Sequence, residues 1–259
     1  MATVTFLFSQ SVSLGGTKFF DWGNAANWSD GAIPDATSSV VLPRFSGIPL
    51  DDIASLTIRS LNFSPGAPRL EIGAGSTLNV SNAVSNGVIR LDANAELLEP
   101  RSGFSYVQLA GNDSLVEQGG VPRGYIQFST NPADTGSLYI HTPQPPMGGV
   151  PGSDPQVIQF FGAGDNIYLE EAESGPLTVT YTAPAIGVNG TLLITEAGTP
   201  IYRFANFRGD PALNYQAVET TITDPLTGIP GVAAIDVFVC FARGTHIRTP
   251  SGERRVETL

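Results

Sequence analysis

Apolar residues in this chain alternate rather than recur at helical spacing, and nothing else in the sequence limits the fold as strongly. Leu56, Ile58 and Leu61 sit in SLTIRSLNF, Leu70 and Ile72 in RLEIG, Leu78 and Val80 in TLNV, Ile89 and Leu91 in VIRL. Later runs include YIQF, LYIH, VIQFF, NIYL, LTVTYT, LLIT and IYRFANF. Successive side chains of a strand point to opposite faces, so an apolar period of two marks strands with one buried face. Each run is bounded by Gly, Pro, Asn, Asp or Ser, the residues that suit tight turns. With 29 Gly, 20 Pro and only 14% charged residues, the chain suits many short strands, and 41% hydrophobic residues suffice for a core. The expected class is all-β. A length of 259 residues suits one large β domain, or one domain and part of another.

Two architectures fit strands that recur without intervening helices: a parallel β-solenoid (β-helix-like) and an antiparallel β-sandwich. Residues 55–98 favour the solenoid, because short strands repeat there with small residues and Asn between them. In a solenoid each round buries inward aliphatics against the next, and Asn or Gly turns the corners. Residues 1–142 are expected to form this solenoid-like region. The segment Asp21–Pro43 holds Trp22 and Trp28 and resembles the first, cap-like segment of bacterial extracellular β-helix proteins of the autotransporter-passenger type. Large aromatics can cover the exposed end of a solenoid, and two ordinary core tryptophans are the other reading. Residues 143–155, rich in Pro and Gly, read as a linker or a long loop. Residues 156–239 read as a further β-rich region, and 240–259 as a separate segment.

Thirteen Lys and Arg against 24 Asp and Glu give a net charge of −11. Such a surface repels phosphate backbones and argues against nucleic-acid binding. It fits a secreted or cell-surface bacterial protein, for which a cell-surface glycan or a host protein would be the partner. No apolar run reaches the roughly 20 residues needed to span a bilayer, and residues 1–16 lack the basic start of a cleaved signal peptide. Cys240 is the one cysteine, so no internal disulfide forms and a Cys-rich zinc site is excluded. His141 and His246 are the only histidines, too few for a His-rich metal site. No cofactor is expected.

The chemistry-bearing signal lies in CFARGTHIRTPSGERRVETL. Cys240, Phe241, Gly244, Thr245, Ile247, Thr249, Gly252, Val256, Glu257 and Leu259 follow in order the pattern that opens hedgehog/intein (Hint) domains of bacterial surface proteins. The segment is identified as resembling the start of such an autoprocessing domain. Upstream, the run from Phe161 to Leu169 resembles the strand that often precedes it. The resemblance implies self-processing, of the kind used in protein splicing, by an N–S acyl shift at the Val239–Cys240 bond. Cys240 would be the nucleophile, Val239 would supply the scissile carbonyl, and Gly244 with Thr245 would form the turn that follows. Sulfur suits the step because a thiolate forms readily and is strongly nucleophilic. The family also needs a Thr-x-x-His segment further on to protonate the leaving nitrogen, and His246 sits at a variable position of the motif. The chain as it stands is therefore expected to be a truncated, inactive form of a parent that processes itself.

Other signals carry less. Gly162-x-Gly164-Asp165 resembles a single calcium-binding turn, but such sites need stacked copies. Asp51-Asp52 and Glu170-Glu171 read as solvated loop charges, since neighbours on a strand point to opposite faces, and His141 reads as a surface residue. Tyr202, Phe204 and Phe207 read as core. Two further functions stay open: a carbohydrate-binding or carbohydrate-active β-helix protein, and a purely structural adhesin module. A carbohydrate enzyme should bring two or more carboxylates and an Arg or Lys together in a groove.

Overall fold

The computed structural model describes residues 2–255 other than 15, 100–103, 113, 120–123, 132, 142–152, 171–174, 184–188, 210–212, 241–245 and 250–251. The fold is all-β. Among the described residues the one helical element is a 3-10 turn at Ala25–Asn27, and no helix is long and apolar enough to cross a membrane.

Through the first two thirds of the chain most neighbouring strands run parallel, and the register lines up identical roles. Leu70 lies beside Ile89, Ile89 beside Val107, Val107 beside Ile126, and Ile126 beside Ile158. A second column runs Leu56, Leu78, Leu97, Val116, Leu138 and Ile167. A third runs Val4, Val40, Leu61 and Val84. Every member of the three columns is buried. Each strand therefore buries its aliphatics against those of the strand beside it, which is how the alternation in the sequence becomes one continuous core. Gly75 and Asn94 take left-handed backbone between strands, and Asn86 does so at a bulge inside the strand Thr77–Leu91, a conformation open to Gly and tolerated by Asn. Strands on either side of residues 143–152 belong to the same sheet: Gly124–Gln127 pairs with Ser153–Gln159, and Gly136–His141 with Asn166–Leu169.

The N-terminal strands carry an aromatic cluster. Trp22 and Trp28 are buried and meet edge to face at 5.1 Å, and Phe6 packs against Trp28 at 4.7 Å. Phe8 stacks on Phe45 at 4.4 Å. The buried Asn27 side chain holds this region together. Its Nδ2 donates to the carbonyls of Gln10 and Asp21, and its Oδ1 accepts from the Gln10 amide.

The last part of the sheet changes direction. Leu177–Thr182, Gly190–Glu196 and Thr199–Arg208 form an antiparallel meander, whose last strand pairs in parallel with Ser153–Gln159. Asn214–Ile222 and Val232–Cys240 form a hairpin around the turn at Asp224, and Val232–Cys240 also pairs antiparallel with Asn166–Leu169. Tyr202, Phe204 and Phe207 are buried there, as their spacing suggests.

Two sequence readings are corrected by this packing. Asp51 is not a solvated loop charge: it ends the strand Ile48–Asp51, lies in register with Ile72 and is 0% exposed. Glu170 and His141 are half-buried and paired, His141 Nδ1 lying 2.5 Å from Glu170 Oε2.

Candidate functional site

The junction singled out by the sequence lies at the end of the strand Val232–Cys240. Its apolar alternation buries Ile235 and Val237. Residues 235–238 have a neighbour on each side, since Ile235 faces Leu169 and Phe238 faces Asn166 on one flank, while Asn214–Ile222 lies on the other. Among the described residues Val239 and Cys240 extend beyond Asn166 and pair on one side only, with Tyr215 and Asn214. Val239 packs partly against the core. The Cys240 thiol is free and half-buried. The next described backbone, His246–Thr249 with Gly252–Arg255, forms a two-stranded antiparallel sheet that joins no other strand among the described residues. Thr245 lies outside the described residues.

The covalent geometry of this bond decides what the thiol can do. Attack of Cys240 Sγ on the Val239 carbonyl carbon closes a five-membered ring through Cβ, Cα and the backbone nitrogen, so nucleophile and target are tethered by their own chain. The barrier lies in the amide, which is planar and resonance-stabilised. Pairing with Asn214–Ile222 holds the segment extended. Expelling the Cys240 nitrogen requires an acid to protonate it. Among the described residues no cluster of three or more His, Cys, Asp or Glu side chains is placed to hold a metal.

Buried carboxyls lie elsewhere, and the alternation did not reveal them. Asp51 Oδ1 accepts from the Ile53 amide at 3.2 Å, while its buried Oδ2 has no hydrogen-bond partner. Burial pushes its pKa up to about 7, helped by the charges of Asp52 and Asp21. Asp52 is raised as well, by burial and by the Asp21 carboxyl beside it. Asp236, facing Tyr168 across the sheet, is pushed up to about 6 by burial. Glu71 is compensated: Arg69 and Arg90 both donate to its Oε1, at 2.9 and 2.7 Å.

One cleft brings carboxylates and an arginine together. It measures about 470 Å³ and is lined by Asp134, Asp165 and Arg208, among others. Asp165 is buried, and burial raises its pKa to about 6. Its two oxygens accept from the backbone amides of Gly136 and Gly162, each at 2.9 Å. Asp134 accepts from Ser129 Oγ at 2.6 Å and Asn131 Nδ2 at 3.0 Å. Both carboxylates thus hold corners of the chain in place, which suits a rigid binding wall better than proton transfer. No protein-family model, curated protein or solved structure matches the chain.

Proposed function

We propose that this chain is a secreted or cell-surface β-solenoid, serving display or adhesion, joined at Val239–Cys240 to the opening segment of a Hint autoprocessing domain. The parallel columns support the solenoid, the aromatic cluster of the N-terminal strands fits an end cap, and the hairpin at Val232–Cys240 would close the other end. The observation that carries the processing half is the position of Cys240. The residue that begins the Hint-like motif is also the last residue of the large sheet, and among the described residues His246–Thr249 and Gly252–Arg255 after it pair only with each other.

In the proposed step the Cys240 thiolate adds to the Val239 carbonyl carbon and the C–N bond breaks. The nitrogen leaves as the protonated amine of Cys240, and the acyl group becomes a thioester on Cys240 Sγ. An external thiol or amine can then take the acyl group, releasing residues 1–239 from a product that begins with Cys240. The acid for the nitrogen would come from a Thr-x-x-His segment of a parent chain longer than these residues.

The test is to express the longest natural reading frame containing these residues and to follow cleavage with and without dithiothreitol. Thiol-dependent release of a fragment ending at Val239, abolished by Cys240→Ala, is the expected result. Indifference of the product to thiol would refute the reading. The 259-residue chain itself is expected to stay intact under the same conditions.

A further inference from the structure

The cleft beside Asp165 has features that neither corner-capping nor the acyl shift accounts for. Three strands end at it, Gly124–Gln127, Ser153–Gln159 and Thr199–Arg208, and each hands the chain into a turn that forms part of the wall. At its mouth stands Phe160, 50% exposed, with its backbone at φ 60°. A bulky residue in the left-handed region costs about 1–2 kcal/mol, and a bare phenyl ring gains nothing from water. Gly or Asn would turn the same corner at lower cost, so this position invites a use for the ring.

The polar groups around the ring are set in fixed directions. Arg208 Nε donates to Asn189 Oδ1 at 2.5 Å, which fixes the plane of the guanidinium. Arg208 itself lines the cleft. Ser129 and Asn131 are held by Asp134. A smaller hollow of about 170 Å³ shares Ser129 and Thr130 with the cleft and adds Gln108 and Gln127. These glutamines belong to a row of polar partners that leads along the sheet into the cleft: Gln108 beside Gln127, Gln127 beside Gln159, Gln159 beside Arg208. Next to it runs a pair of tyrosines, Tyr106 and Tyr125, with rings 5.8 Å apart and Tyr125 47% exposed.

We infer that this cleft binds a neutral oligosaccharide. A pyranose offers an apolar C–H face for a ring such as Phe160 and hydroxyl edges for planar donors and acceptors such as guanidinium and amide. A cleft of this size, mostly apolar with a few oriented polar groups, is of ligand-binding type. Asp134 and Asp165 in the wall, together with a net charge of −11, repel phosphates and uronates, and the one arginine offsets them only in part, which favours an uncharged ligand. Rows of glutamines spaced about 4.8 Å apart from strand to strand suit a chain of sugars better than a single unit. The site binds without cutting, because both oxygens of each carboxylate are engaged by the corners they hold. The inference does not depend on the Hint reading.

Titration calorimetry of the 259-residue chain with cellohexaose, maltohexaose and chitohexaose tests it. At least one is expected to bind saturably, with affinity about tenfold or more weaker in Phe160→Gly and in Arg208→Gln. Phe160→Gly relieves the left-handed backbone, so its thermal stability should equal or exceed that of the parent, which separates lost binding from lost fold. Val12→Ala, at an exposed position on an N-terminal strand, should bind as the parent does. The inference is overturned if none of the three sugars binds at millimolar concentration, if Phe160→Gly binds as tightly as the parent, or if new reducing ends appear during incubation.

Discussion

Asp51 shows how far local pattern reaches and where it stops. In Ile48–Asp51 the alternation IPLD would turn Ile48 and Leu50 inward, yet Pro49 and Asp51 are the buried pair. The strand takes its face from its neighbours: Trp22 lies on one side, its amide donating to the Leu50 carbonyl, and buried Ile72 pairs with Asp51 on the other. Register over many strands outweighs the preference of four residues. The consequence is measurable. Folded Asp51 keeps its proton to about pH 7 against an ordinary 3.8, so the folded chain binds more protons between those values. Its contribution to stability is complete at acidic pH and is lost as pH rises toward 7. The melting temperature should therefore fall between pH 5 and pH 8. Asp51→Asn should raise stability at pH 8, by an amount on the order of a few kcal/mol, and flatten that fall. Asp165 and Asp236, also raised, would leave a shallower slope of the same sign.

At the scale of strands, the alternation made the all-β class and much of the core legible before any coordinates: Leu56, Ile58, Leu70, Leu78, Ile89 and Leu91 are all buried. A corner at Asn was legible for the same reason, as Asn94 shows, whereas Asn86 marks a bulge inside the strand Thr77–Leu91. The repeat length was not. Leu70 meets Ile89 and Ile89 meets Val107 at nearly constant spacing, but Tyr125 then meets Val157 and Ile158 meets Phe207. Loops of unequal length between equivalent strands blur the period without disturbing the columns. Two substitutions test the stacking. Leu97→Ala, in the middle of a column, should cost about 2–5 kcal/mol in chemical denaturation. Gly111→Ala should cost about 1–3 kcal/mol, because a Cβ there would run into the backbone of Asp92 and Ala93. The antiparallel turn taken by residues 177–240 left no mark in the alternation, since parallel and antiparallel strands bury one face by the same period.

For the molecule as a whole, the large sheet runs to Cys240, and among the described residues the two strands after it join no other strand; the motif names the candidate junction, and the pairing gives its setting. The cleft at Phe160 was legible in neither composition nor motif, because three corners far apart in the chain build it. The proposal that the junction is reactive rests on a thioester at Cys240. The most direct test treats the longest natural product with hydroxylamine and weighs the fragments. A fragment of residues 1–239 carrying a C-terminal hydroxamate on Val239, absent in Cys240→Ala, is the predicted result. Release of the same fragment as a free acid from both proteins, or no release at all, would contradict it.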